Sequence, residues 1–215
     1  MKKLIFTAIL LTATLGAYAQ KVTDLFTKTE TKITYLGIDY SHVKLIGNFS
    51  QFAEAGVVGP ILVKEKYFDS WNDLVVKEQE KYDIKGMFRK ESIEYNISDI
   101  QKINKSASTE EMEADETPNY SQEDIQKIVS NYKFSTKDGI GIIFIAESLN
   151  KNKESGIFHF VAFNISTKEI LLQESFTGKA GGIGLRNYWA RSIFEVILQI
   201  KDKKFKEWKK EYVPK

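Results

Sequence analysis

The chain has 215 residues, 42% of them hydrophobic, with a formal net charge of +2 and no cysteine. The absence of cysteine excludes disulfides, thiol catalysis and Cys-ligated metal, and the apolar content is ample for one unstapled core. The near-neutral charge gives no general attraction to nucleic acid.

At the amino terminus, MKKLIFTAILLTATLGAYA (1–19) joins Lys2 and Lys3 to a short apolar run and to Ala17-Tyr18-Ala19. This is the pattern of a cleaved secretory leader, and the apolar run is shorter than the roughly 20 residues of a membrane span. The expectation is an exported, periplasmic or outer-membrane-associated chain that matures at Gln20. Removing Lys2 and Lys3 leaves 29 cations facing 29 acids, so any electrostatic role must be local.

Residues 31–40, TKITYLGIDY, are rich in β-branched and aromatic side chains with apolar groups at both parities, which predicts an interior strand. SHVKLIGNF continues extended into a loop holding Gly56 and Gly59. Pro60 suits a first helical turn, and Ile61, Leu62, Tyr67, Phe68, Trp71, Leu74 and Val75 recur at three- and four-residue steps, predicting a helix to about Tyr82. SIEYNIS (92–98) alternates as a half-buried strand, so strand, helix and strand form a parallel crossover. Residues 104–119 contain five acids and few apolar side chains, which predicts a mobile surface loop without calcium-loop spacing. Ser121 and Asp124 have the spacing of a capping box opening a short helix. Three strand signals follow at 139–148, 156–164 and 168–177, joined by short polar connectors as an antiparallel meander. A long helix begins near Leu185. The expected fold is a single α+β domain over 20–203, a two-layer mixed sheet of about five strands in β-α-β-α-β-β-β-α order with helices packed on it, followed by a basic aromatic tail at 204–215.

The meander ending VAFNISTKEILLQESFTG and leading into a long helix resembles the small α/β domain of the TolB amino-terminal, FlgO-like and CsgG families across residues 121–203. Where those families carry a D-x-x-T-G-x turn, this chain has Asn164-Ile165-Ser166-Thr167-Lys168. The leader and the composition also resemble exported proteins of Bacteroidetes. The resemblance implies an envelope protein that binds or assembles with partners.

TGKAGGIGLRNYWARSIF (177–194) invites a phosphate-loop reading, but Lys179 precedes Gly181, Gly182 and Gly184, and Asn187 stands where a dinucleotide loop needs its third glycine. Two readings stand: a sharp strand-to-helix turn, or an anion or partner-carboxylate site that uses Lys179, Gly181, Gly182, Gly184 and Arg186. In the stretch 201–215, Phe205, Trp208 and Tyr212 share one helical face among seven lysines, which suits a partner, a peripheral membrane contact or the domain's own core. His159, inside an apolar strand, reads as a satisfied core histidine. Asp39 with His42, or strand-end carboxylates such as Glu147 and Glu174, supply an alternative reading as a small periplasmic hydrolase. The leading expectation is a non-enzymatic binding or envelope-assembly domain with an envelope or periplasmic protein partner, no nucleic acid, no metal or cofactor, and an open oligomeric state.

Overall fold

The computed structural model describes residues 22–51 and 58–213, so the leader lies outside the described residues. It is an α+β fold built on one open mixed sheet of six strands with helices packed on it.

After the short helix α1 (Asp24–Thr27), strand β1 (Ile33–Asp39) is buried along its whole length, as its two-sided apolar pattern requires. Strand β2 (Lys44–Ile46) follows. Helix α2 (Pro60–Val63) passes through a π-helical turn (Lys64–Phe68) into α3 (Asp69–Lys77). The extra residue of a π-turn shifts the helical phase, and here the consecutive Tyr67 and Phe68 are both buried. The helix ends five residues before the expected Tyr82, which reaches the core from a turn instead. Helix α4 (Ile84–Met87) precedes strand β3 (Glu94–Tyr95), which pairs parallel to β1 and completes the expected crossover. β3 is shorter than the sequence suggests because β1 bulges after Tyr35, and side chains take over its outer edge. Asn72 exchanges both backbone hydrogen bonds with Ile38, and Asn104 accepts from Tyr40 N–H while donating to the Ile38 carbonyl.

Helix α5 (Ser98–Ser106) was not expected; Ile97, Ile100 and Ile103 at three-residue steps carried its signal. The segment after it corrects the expectation of a loose acidic loop. Met112 is 3% exposed, its carbonyl accepts from Leu45 N–H at 2.7 Å, and Ala114 N–H donates back to Leu45. Helix α6 (Gln122–Asn131) opens with the capping box read from Ser121 and Asp124. Strands β4 (Ile140–Asn150), β5 (Ser155–Asn164) and β6 (Ile170–Lys179) form the expected antiparallel meander. The order across the sheet is β3-β1-β4-β5-β6, with β2 parallel to the end of β4.

Helix α7 (Leu185–Gln199) continues through a π-helical turn (Ile200–Lys204) into α8 (Phe205–Tyr212). The alternating side chains of the sheet feed two apolar clusters. Ile142, Phe144, Phe158 and Phe160 join α3, α7 and α8 on one face; Ile143, Ile145, Val161 and Phe163 join α6 on the other. No helix among the described residues is long and apolar enough to cross a membrane.

Candidate functional site

The residues expected to bind partners do not form one site. Phe205 and Trp208 are 8% and 2% exposed, the arrangement of the reading in which the stripe docks on the domain's own core. Trp208 stacks on Phe88 and Phe160 and meets Phe176 edge-on, while its indole N–H donates to Glu174. Phe205 packs against Phe26 and Phe88, and half-buried Tyr212 stacks on Phe26. The stripe faces the core because these rings close the sheet's larger apolar face, so α8 (Phe205–Tyr212) packs on the domain. Its lysines are partly spent internally: Lys204 pairs with Glu174 and Glu207.

The glycine loop behaves first as a turn. Gly182 and Gly184 have φ of 118° and 76°, a region that favours glycine. Just before the loop, a Cβ on Gly178 would lie 1.9 Å from the Ser192 carbonyl oxygen, so α7 packs on β6 at a distance only glycine permits. Lys179 and Arg186 are exposed on either side of the loop, and the Arg186 carbonyl accepts from the Trp71 indole. Gly181 and Gly182 line a groove together with Tyr82 and Phe194.

The polar groups that converge lie elsewhere. From β1 the chain crosses on one face to β3, through α3, and then reaches β4 on the other side of β1, through α6 on the opposite face. Such a reversal opens a crevice beyond the carboxyl ends of the two central strands. Here the crevice is widened by a break in the sheet. β1 leaves the β4 edge after Asp39, β2 rejoins it at Lys44 opposite Ser148, and β4 bulges at Glu147 between them.

Beneath the break lie two buried acids, each held by donors. Asp39, fully buried, accepts from Ser41 N–H and from the Tyr132 hydroxyl. Glu147, 5% exposed, contacts His159 Nε2 at 2.7 Å and accepts from Tyr120 N–H at 3.2 Å. One of the strand-end acids named for the hydrolase reading is therefore in the interior, and His159 is buried with one nitrogen paired and Nδ1 without a partner. Burial raises the Tyr132 hydroxyl well above its usual range, and the Asp39 charge raises it further; burial and the charges of Glu147, Asp124 and Asp39 raise Tyr120. Both phenols thus stay protonated as donors near neutral pH.

Above this floor are two adjoining cavities of about 380 and 540 Å³, which share Ser41, His42 and Tyr120. The smaller is closed by Lys44, Glu110, Glu111 and Met112, and the larger by Lys127, Ile128 and Tyr132. Tyr120 bridges between them, its hydroxyl donating to the His42 carbonyl at 2.7 Å. Asp39 and His42 thus belong to one crevice but not to one reactive pair: the acid points into the buried network and His42 is exposed on the rim. Sequence reasoning missed Tyr120, Lys127 and Tyr132, although Tyr120 occupies the residue before an N-cap, where an apolar side chain fixes the chain's entry into a helix. Among the described residues no three His, Asp or Glu side chains converge as a metal site. No family model matches this chain, and no curated protein matches it in sequence.

Proposed function

We propose that the chain is an exported, non-enzymatic binding domain of the cell envelope whose ligand or partner segment occupies the crevice beyond β1 and β4. One observation carries the reading: Asp39, Glu147 and His159 are turned inward and held by one another, by the Tyr132 hydroxyl or by backbone donors, whereas the crevice walls present Ser41, His42, Tyr120, Lys127 and Tyr132 around a mixed polar and apolar hollow. A binding site of this kind needs shape and a few placed polar groups; an enzyme needs a nucleophile or base directed at the space a substrate fills. The leader supports the exported setting.

The contact between Glu147 and His159 beneath the crevice favours one second reading, a hydrolase that opens by moving Tyr120. The two are separated by titrating isotope-labelled protein with short peptides, glycan fragments of the cell wall and free sugars, while the same mixtures are assayed for turnover. Binding moves the amide resonances of Ser41, His42, Tyr120 and Tyr132 without product. Turnover that disappears in Glu147→Gln overturns the binding reading.

A further inference from the structure

Of the large apolar side chains that the fold leaves in solvent, Ile183 is the most exposed, at 88%. It stands at the tip of the glycine loop between Gly182 and Gly184, and Asn187 steadies it by donating to its carbonyl at 3.2 Å. Immediately beside it is a groove of about 410 Å³ floored by Leu74, Tyr82, Ala190 and Phe194, with Gly181 and Gly182 as its near wall. An apolar knob and a hollow of suitable chemistry therefore sit on the same patch of one chain.

A knob cannot enter the hollow it borders, but a two-fold axis passing through their shared rim places each knob in the other copy's hollow, because an isologous interface satisfies both contacts at once. Charge agrees with this arrangement. The knob is flanked by exposed Lys179 and Arg186, whereas the groove's far wall, formed by the turn after α3, ends in exposed Glu80, just outside the groove's own lining. Lys81 on that wall is occupied by Glu78 at 3.5 Å and lies over the Tyr82 ring, and Arg191 inside the groove is paired with Glu195. Rotation about the axis brings the cationic flank of one copy towards the acidic wall of the other.

We infer that the glycine loop is a self-association surface, with Ile183 of each copy seated in the groove floored by Tyr82 and Phe194 of a second copy of this chain. This assignment is independent of the crevice beyond β1 and β4, with which the groove shares no lining residue.

Sedimentation equilibrium of the purified chain across a wide concentration range provides the test. The expected result is a monomer–dimer equilibrium whose dissociation constant rises at least about tenfold in Ile183→Asp, a loss readily resolved in such data. Because Ile183 is exposed, an unchanged melting curve at low concentration shows that the variant is folded. Arg186→Glu should weaken the dimer, and adding Glu80→Lys should restore it, a rescue expected only if the two side chains approach across the axis. A monomer at every concentration overturns the inference. So does a dimer indifferent to Ile183→Asp, since it must use another face.

Discussion

The two faces of the sheet are covered in different ways. On one, α3, α7 and α8 bring Trp71, Trp189 and Trp208 into the same apolar cluster as Phe144, Phe158 and Phe160. On the other, α6 covers only part of the sheet with Ile125 and Val129; the rest, where Glu147, His159 and Ser148 are buried, lies near Tyr120 and the extended segment that leads to it. Burial of apolar area is the main source of stability, so the first face holds the fold together. The second carries polar groups whose worth depends on being mutually satisfied. A region that is expensive to keep polar, and that opens onto a crevice, is where a binding role is best sought.

Substitutions should divide along the same line. Trp208→Ala removes a ring with aromatic neighbours on three sides and the donor to Glu174, and should cost about 3–5 kcal/mol in chemical denaturation. A loss within about 0.5 kcal/mol, the range of an ordinary surface substitution, would mean that α8 does not dock on the core. Gly178→Val comes next, because its Cβ would sit 1.9 Å from a backbone carbonyl in α7 and the helix must lift from β6. Overpacking of this kind costs about 1–3 kcal/mol, read as a lower denaturation midpoint with an unchanged slope.

What the sequence made legible follows from which signals are local. Alternation over 139–177 sufficed for the meander, and Ser121 with Asp124 sufficed for a helix start, because strand pleat and capping chemistry act over a few residues. The spacing of Phe205, Trp208 and Tyr212 revealed an apolar face but not what lies against it; Phe88, Phe160 and Phe176 are distant in sequence. Residues 104–119 misled for another reason. Five acids dominate any average over the segment, yet one side chain, Met112, with two backbone bonds to Leu45, fastens it. The crevice was least legible of all. Asp39, His42 and Glu147 could be named as candidates, but the break in the sheet that gathers Tyr120 and Tyr132 around them exists only once β1, β2 and β4 are paired.

On the second face, Glu147→Leu leaves His159 buried with neither nitrogen paired, at an expected cost of about 1–3 kcal/mol for the stranded polar group. Adding His159→Phe should recover part of that loss, because an apolar pair of similar size removes the unpaired donor. A double-mutant cycle measures the coupling. Strictly additive losses would show that the two side chains do not support one another, and the account of this face as a mutually satisfied polar network would fail.

The smallest effect expected concerns how the second face's cover is fastened, and it depends on pH. Asp99, in the first turn of α5, accepts from both the backbone N–H and the hydroxyl of Ser135 at 2.7 Å, and Lys102 lies 3.1 Å away. It therefore ties α5 to the segment that follows α6. The Ser135 backbone bond above all, with the Ser135 hydroxyl and Lys102 adding to it, holds its carboxyl below the usual aspartate range despite the opposing effect of burial. A carboxylate whose pKa is lower folded than unfolded contributes stability that is fully present above the unfolded value, about 3.9, and disappears as pH falls through the folded one. Asp99→Asn keeps an acceptor but loses the charge, so it should cost about 1 kcal/mol at neutral pH, where charge-assisted bonds exceed neutral ones by about that amount. The difference from the unaltered chain should then begin to shrink as pH falls through the unfolded value, about 3.9, where the unfolded carboxylate takes up its proton first, and close only below the lower folded value. Denaturation midpoints for the two proteins, followed from pH 7 down to pH 2.5, should converge. Curves that stay parallel through that window would show that Asp99 does not carry the tie as a charge, and that the cover over α6's end of the sheet is held by its apolar contacts alone.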